Sequence, residues 1–105
     1  MHAAVVVLIT APSEELAVTL ARTLVEERLL ACANIVPAVR SIYRWQGEVH
    51  DEREALLVCK TTSSKIEALK ARLVALHPYE TPELLALPIE TGLEKYLAWI
   101  AASVA

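Results

Sequence analysis

Residues 31–62 read ACANIVPAVRSIYRWQGEVHDEREALLVCKTT, and this stretch decides the fold. Val39, Ser41, Tyr43 and Trp45 share one parity in the arm from Ile35 to Trp45, and the arm from Glu48 to Lys60 climbs from charge into ALLVC. Runs of β-branched and aromatic residues on either side of Gln46-Gly47 predict a β-hairpin with a two-residue turn. Each arm is about 14 residues long, at least twice the ~5–6 of an ordinary strand, so the tip projects beyond the core that a small domain can build. Tyr43, Trp45 and Val49 then stand exposed on a lone chain. An open apolar ribbon pairs with another chain, so self-association through the hairpin is expected.

The arms also set expectations for the two cysteines, Cys32 and Cys59, the only ones in the chain. With a two-residue turn at 46–47, partners across the hairpin carry numbers that add to 93. Cys59 then faces Asn34, and Cys32 lies one pair further along on the same face. That diagonal is about 7–8 Å, too long for a disulfide, and two free buried thiols are expected. Pro37 interrupts the first arm, and a proline that cannot donate to the ladder implies an edge position or a bulge.

Working outward, His2 to Thr10 (HAAVVVLIT) is a valine-rich run suited to a central strand buried on both faces, with His2 frayed at its start. Ser13 is the N-cap of a helix running to about Leu29, with Glu14 and Glu15 in its first turn and Leu16, Leu20 and Leu24 on its apolar face. Beyond the hairpin, Ser64 and Glu67 form a capping box for a helix over 64–76 with Ile66, Leu69, Leu73 and Leu76 inward. The segment HPYETPE (77–83) carries two prolines and is a stiff loop; LLALPI (84–89) is a fourth strand with Pro88 at an edge. A box of Thr91 and Glu94 then opens a last helix with Leu93, Tyr96, Leu97 and Ile100 inward and Trp99 packed with them. The whole chain, 1–105, reads as a single domain of class α+β. Its order is βαββαβ plus a C-terminal helix, the ferredoxin-like arrangement with both main helices on one face of a four-stranded antiparallel sheet.

Composition narrows function by exclusion. Of 105 residues, 55% are hydrophobic, and the net charge of −3 argues against nucleic acid, whose phosphates are met by clustered lysine and arginine. No apolar run approaches the ~18 residues of a membrane span, and the first residues lack a secretory pattern, so a cytoplasmic protein with no membrane partner is expected. The central strands carry no aromatic ring for stacking RNA bases, and TAPSE after the first strand has neither the glycine nor the arginine of an acylphosphatase-type anion cradle. With no nucleophile-base pair in view, the chain reads as no enzyme.

ACANIVP (31–37), SIYRWQGEV (41–49), LLVCKTT (56–62), HPYETPELLALPI (77–89) and YLAWI (96–100) together closely resemble the CutA family of divalent-cation-tolerance proteins. The resemblance spans the chain in order and spacing. It implies a ferredoxin-like protomer in a tight homotrimer whose long hairpins pair between subunits, much as in PII signal-transduction proteins, and a part in tolerance of copper and other divalent cations.

Candidate site residues follow from both lines of reasoning. His77, where a helix meets the stiff loop, is the first metal-ligand candidate, since imidazole suits copper, nickel or zinc; the structural alternative is a helix cap or a donor to a carboxylate. Cys32, in the resembling ACANIVP, is the second, with a buried thiol as its alternative. Where some family members carry a cysteine and a second histidine, this chain has Ile9 and Leu76, so a three-ligand copper site does not transfer whole. Tyr43, Trp45, Lys60, Tyr79 and Glu83 are expected to line a cleft between subunits, holding a small ligand or pairing charges across the interface. Glu48, His50, Glu52 and Glu54 share one side of the ribbon, either as a loose cation site or, as a ladder of charge, a solvated edge that blocks aggregation.

Overall fold

The hairpin is the longest feature of the molecule. In the computed structural model, which describes residues 3–105, β2 (Cys32–Trp45) and β3 (Glu48–Thr62) run for 14 and 15 residues. Gln46 and Gly47 turn the chain with φ of 51° and 81°. Both central residues in the left-handed region match the right-handed twist of the flanking strands, and Gly47 adopts its angle without strain. From Arg40 to Arg53 the ribbon is exposed or half-exposed, and the molecule reaches 44 Å along its long axis against 25 and 22 Å across.

With β1 (Ala4–Ala11) and β4 (Leu85–Pro88), four strands make one antiparallel sheet in the order β2-β3-β1-β4. β1 is central, between β3 and the short edge strand β4. Pro88 sits at the end of that edge strand, where its missing donor leaves no ladder bond unmade. Alternation along β1 sends Val5, Val7, Ile9 and Ala11 to one face, where they meet Ala55, Leu57 and Cys59 of β3. Two helices close this face: α1 (Glu14–Glu26) through Ala17, Leu20, Ala21 and Leu24, and α2 (Ile66–Leu76) through Leu69 and Leu73. Leu24 and Leu69 are fully buried, and truncating either to alanine costs about 2–5 kcal/mol. The other face is covered at one end only, by α3 (Glu94–Ser103), whose Ile100 packs with Val104, Ala31, Leu97 and Ala4. β1 is therefore buried on one face and half-buried on the other, a correction to the expectation of two buried faces. His2 lies outside the described residues.

Ser13 caps α1 as read, its hydroxyl accepting from the Leu16 amide at 3.1 Å. The helix stops at Glu26, short of Leu29, because Arg28 turns left-handed with φ 61° and the amides of Leu29 and Leu30 fold back on the Leu24 carbonyl. Neither expected capping box forms. A 3-10 turn at Ser63–Lys65 precedes α2, Ser64 bonds the Thr62 hydroxyl, and Glu67 pairs with Lys70. α3 starts after Leu93 with no side-chain cap. Leu93, Tyr96 and Trp99 of that region stand exposed, with the Tyr96 and Trp99 rings tilted against one another.

The register corrects the reading of the cysteines. Pairs from Trp45↔Glu48 to Val39↔Glu54 add to 93, but those from Val36↔Leu56 to Cys32↔Lys60 add to 92, because Pro37 and Ala38 form a bulge. A slip of one residue moves every side chain to the opposite face. Cys59 faces Ala33 in the helix-covered core, while Cys32 lies on the other face beside Lys60. Both thiols are free.

Candidate functional site

The loop between α2 and β4 is held against the end of β1 by one histidine. His77 ends α2 with its amide bonded to the Leu73 carbonyl, and its extended backbone suits the proline that follows. Its Nδ1 accepts from the Tyr79 amide at 3.1 Å, which leaves Nε2–H to donate to the Thr10 carbonyl at 2.8 Å. The residue is 6% exposed, and its ring lies 4.7 Å from the Tyr79 ring, centroid to centroid. Both nitrogens are thus occupied in fixing the loop to the end of β1.

That anchorage delivers Tyr79 to the hairpin, where its phenol donates to Glu54 at 2.8 Å. Burial, reinforced by this bond to a carboxylate, pushes the Tyr79 phenol well above its ordinary range. On the same side of the ribbon, Tyr43 donates to Glu52 at 2.6 Å, and the bond pushes the phenol up to about 12. Tyr43 also stacks on its cross-strand partner His50 at 5.2 Å. Between ribbon and loop opens a cavity of about 510 Å³, lined by Tyr43, Trp45, Glu54, Tyr79, Glu80 and Glu83 with Thr10, Ser41, Ile42 and Thr81. Burial and the neighbouring charge of Glu54 hold the Glu83 carboxyl above the usual carboxylate value.

Four of the five expected cleft residues, Tyr43, Trp45, Tyr79 and Glu83, therefore share one cavity. Lys60 does not join them. It lies six residues along β3 from Glu54, roughly 20 Å away, and donates to Asn34. Cys32, opposite Lys60, has its Sγ 3.8 Å from the Tyr96 hydroxyl. His77 and Cys32 thus belong to separate ends of the sheet, and no group of three or more His, Cys, Asp or Glu side chains among the described residues is placed to hold a metal ion.

Glu54, read from the sequence as part of a loose cation site or a solvated edge, instead lines the cavity. Strand alternation groups it with Glu48, His50 and Glu52 as edge charge, yet it is only 8% exposed. The available signal is its place at the foot of the apolar run ALLVC, where the ribbon enters the core.

Comparison with protein families matches residues 5–103 to CutA1 divalent ion tolerance protein. A divalent-cation tolerance protein CutA of Thermus thermophilus is 60% identical over 95 residues, covering 90% of this chain and 92% of that one. The chloroplastic protein CutA of Arabidopsis thaliana is 44% identical over 99 residues, covering 94% of this chain and 54% of that longer protein. A solved structure, the divalent cation tolerance protein Cut A1 from Thermus thermophilus, superposes with a TM-score of 0.94 at 56% identity, over 97% of this chain and 99% of that one.

Proposed function

The chain belongs to the CutA1 divalent ion tolerance protein family, and on that premise we propose that it acts in divalent-cation tolerance, copper included, as a non-enzymatic homotrimer holding a metal ion or small ligand between subunits. The observation that carries the assembly is the outer hairpin. Ile42 is 68% exposed, Val49 63% and Trp45 40%, on a ribbon whose outer half lies in the open. Apolar surface of that kind is buried against a like chain. The strand order β2-β3-β1-β4 with α1 and α2 on one face supports the ferredoxin-like, PII-like description.

The ligand belongs in the cavity of Tyr43, Trp45, Tyr79, Glu54 and Glu83 rather than at His77, whose lone pair and N–H are both spent on the loop. Cys32, half-buried and at the other end of the sheet, is the remaining thiol through which a soft cation can be held. Two free cysteines on opposite faces suit the reducing cytoplasm. Among the described residues no helix is long and apolar enough to cross a membrane.

Sedimentation of the purified protein tests the assembly. The expected mass is three times that of the 11.5 kDa chain at low micromolar concentration, with Trp45→Ala shifting the protein toward smaller species. A wild-type chain that sediments as a monomer overturns it. Growth of a deletion strain in excess copper, rescued by the wild-type gene and not by a cavity variant, is the corresponding test of tolerance.

A further inference from the structure

Among the described residues, no basic side chain meets the carboxylates of the cavity beside the hairpin. Glu54 is more than nine-tenths buried and receives one hydrogen bond, from the Tyr79 phenol, while Glu83 and Glu80 share the same space. Among the described residues no lysine, arginine or histidine lines it, and the chain's arginine and lysine pairs lie elsewhere, at Arg40–Asp51, Lys70–Glu67 and Arg72–Glu27. A buried carboxylate without a cation is costly, and a second carboxylate nearby makes it more so. The raised Glu83 carboxyl is the local sign of burial together with that repulsion.

The walls narrow the chemistry. Tyr43, Trp45 and Tyr79 bring three aromatic rings to the cavity, and aromatic faces attract organic cations through the ring quadrupole. Inorganic divalent ions need several oxygens converging at about 2.0–2.6 Å, and among the described residues no three His, Cys, Asp or Glu side chains come together to hold one. Anionic ligands are repelled. A carboxylate with a free oxygen asks further for an N–H donor, which a quaternary ammonium lacks.

We propose that this cavity binds a small organic cation, a primary ammonium or guanidinium ion, which donates N–H bonds to Glu54 and Glu83 while its alkyl part lies against Trp45 and Tyr43. The proposal rests on reading the cavity as a ligand site and names the class of ligand. Its volume of about 510 Å³ suits a ligand of a few to a dozen heavy atoms with room for water.

Calorimetry on the assembled protein, with Trp45 fluorescence as a second signal, tests it using 1,4-diaminobutane, its neutral analogue 1,4-butanediol, and tetramethylammonium. The diamine is expected to bind once per chain, at least tenfold tighter than the diol and tighter than tetramethylammonium. Glu83→Gln weakens the diamine at least tenfold and leaves the diol unchanged; Glu54→Gln does the same where it folds, and Lys70→Gln on the far surface changes neither. Equal affinity for diamine and diol overturns the cationic class while keeping the cavity as a ligand site. Absence of binding to every probe in the assembled protein overturns the proposal as well. If a chain dissociated by Val49→Asp then takes up the diamine, the cation comes from a basic side chain of a second copy; if it takes up nothing, the ligand-site reading falls too.

Discussion

Replacing His77 by alanine separates a structural histidine from a metal ligand. The ring makes two hydrogen bonds, from Nε2–H to the Thr10 carbonyl at 2.8 Å and from the Tyr79 amide to Nδ1 at 3.1 Å, and the residue is 6% exposed. Each bond is worth about 1 kcal/mol net, and stranding the Thr10 and Tyr79 backbone groups adds a desolvation penalty wherever water does not reach them. Lost packing against the Tyr79 ring at 4.7 Å contributes further. Together these give a destabilisation of about 2–4 kcal/mol. Guanidinium unfolding followed by tryptophan fluorescence measures it, at a fixed chain concentration so that any self-association contributes equally to variant and wild type. His77→Gln, which retains a donor for Thr10, should recover part of the loss. Calorimetric titration with Cu(II) and Zn(II) supplies the other half of the test, since the folded variant should bind as the wild type does. A variant that loses less than about 0.5 kcal/mol and at the same time loses a one-per-chain metal site refutes the structural assignment.

Two further outcomes follow from the same geometry. Burial pushes the Cys59 thiol up to about 12, so at pH 8 it is protonated as well as shielded, and a disulfide reagent should modify it only after denaturation; rapid modification of both thiols in the native protein counts against the bulged register. The Glu83 carboxyl sits above its ordinary 4.5, with Glu54, Glu80 and Tyr79 as its titratable neighbours. From pH 4.5 up to that raised value the native state binds more protons than the unfolded chain, so this group's contribution to stability falls as pH rises through the window and is flat above it. Glu83→Gln should therefore flatten that part of the pH profile and leave the protein more stable at pH 7, and an unchanged slope just above pH 4.5 in denaturation midpoints refutes the assignment.

The hairpin was legible because its signals are local. Gln46-Gly47 supplies the turn, and alternation from Val39 to Trp45 fixes which residues share a face. The first helix was legible for the same reason, from Ser13 through Leu16, Leu20 and Leu24. What failed depended on a choice between local options. Pro37 announced a bulge, but its two-for-one count must be carried through every later pair, and only then does Cys32 part from Cys59. Ser64 had a competing partner in Thr62, and a 3-10 turn took the place of the expected cap. Arg28 ended α1 early in a left-handed conformation that no glycine advertised. Leu93, Tyr96 and Trp99 follow helical spacing yet face outward, because the sheet offers α3 only the short apolar end around Ala4 and Ala31.

The acidic side of the ribbon shows how the place of Glu54 in the cavity escaped a reading residue by residue. Glu52 and Glu54 are two residues apart, and alternation alone makes them equivalent rungs of a charged edge. The loop from His77 to Glu83 breaks that equivalence: it lays Tyr79 over Glu54 and leaves Glu52 to Tyr43. Each phenol is thereby held by a carboxylate, the buried Glu54 for Tyr79 and the exposed Glu52 for Tyr43. The acid that orients the aromatic wall is also the acid that calls for a cation. Weakening the charge at Glu54 should therefore loosen Tyr79 together with the ligand, whereas weakening it at Glu83, which makes no bond to either tyrosine among the described residues, should weaken the ligand and leave Tyr79 in place.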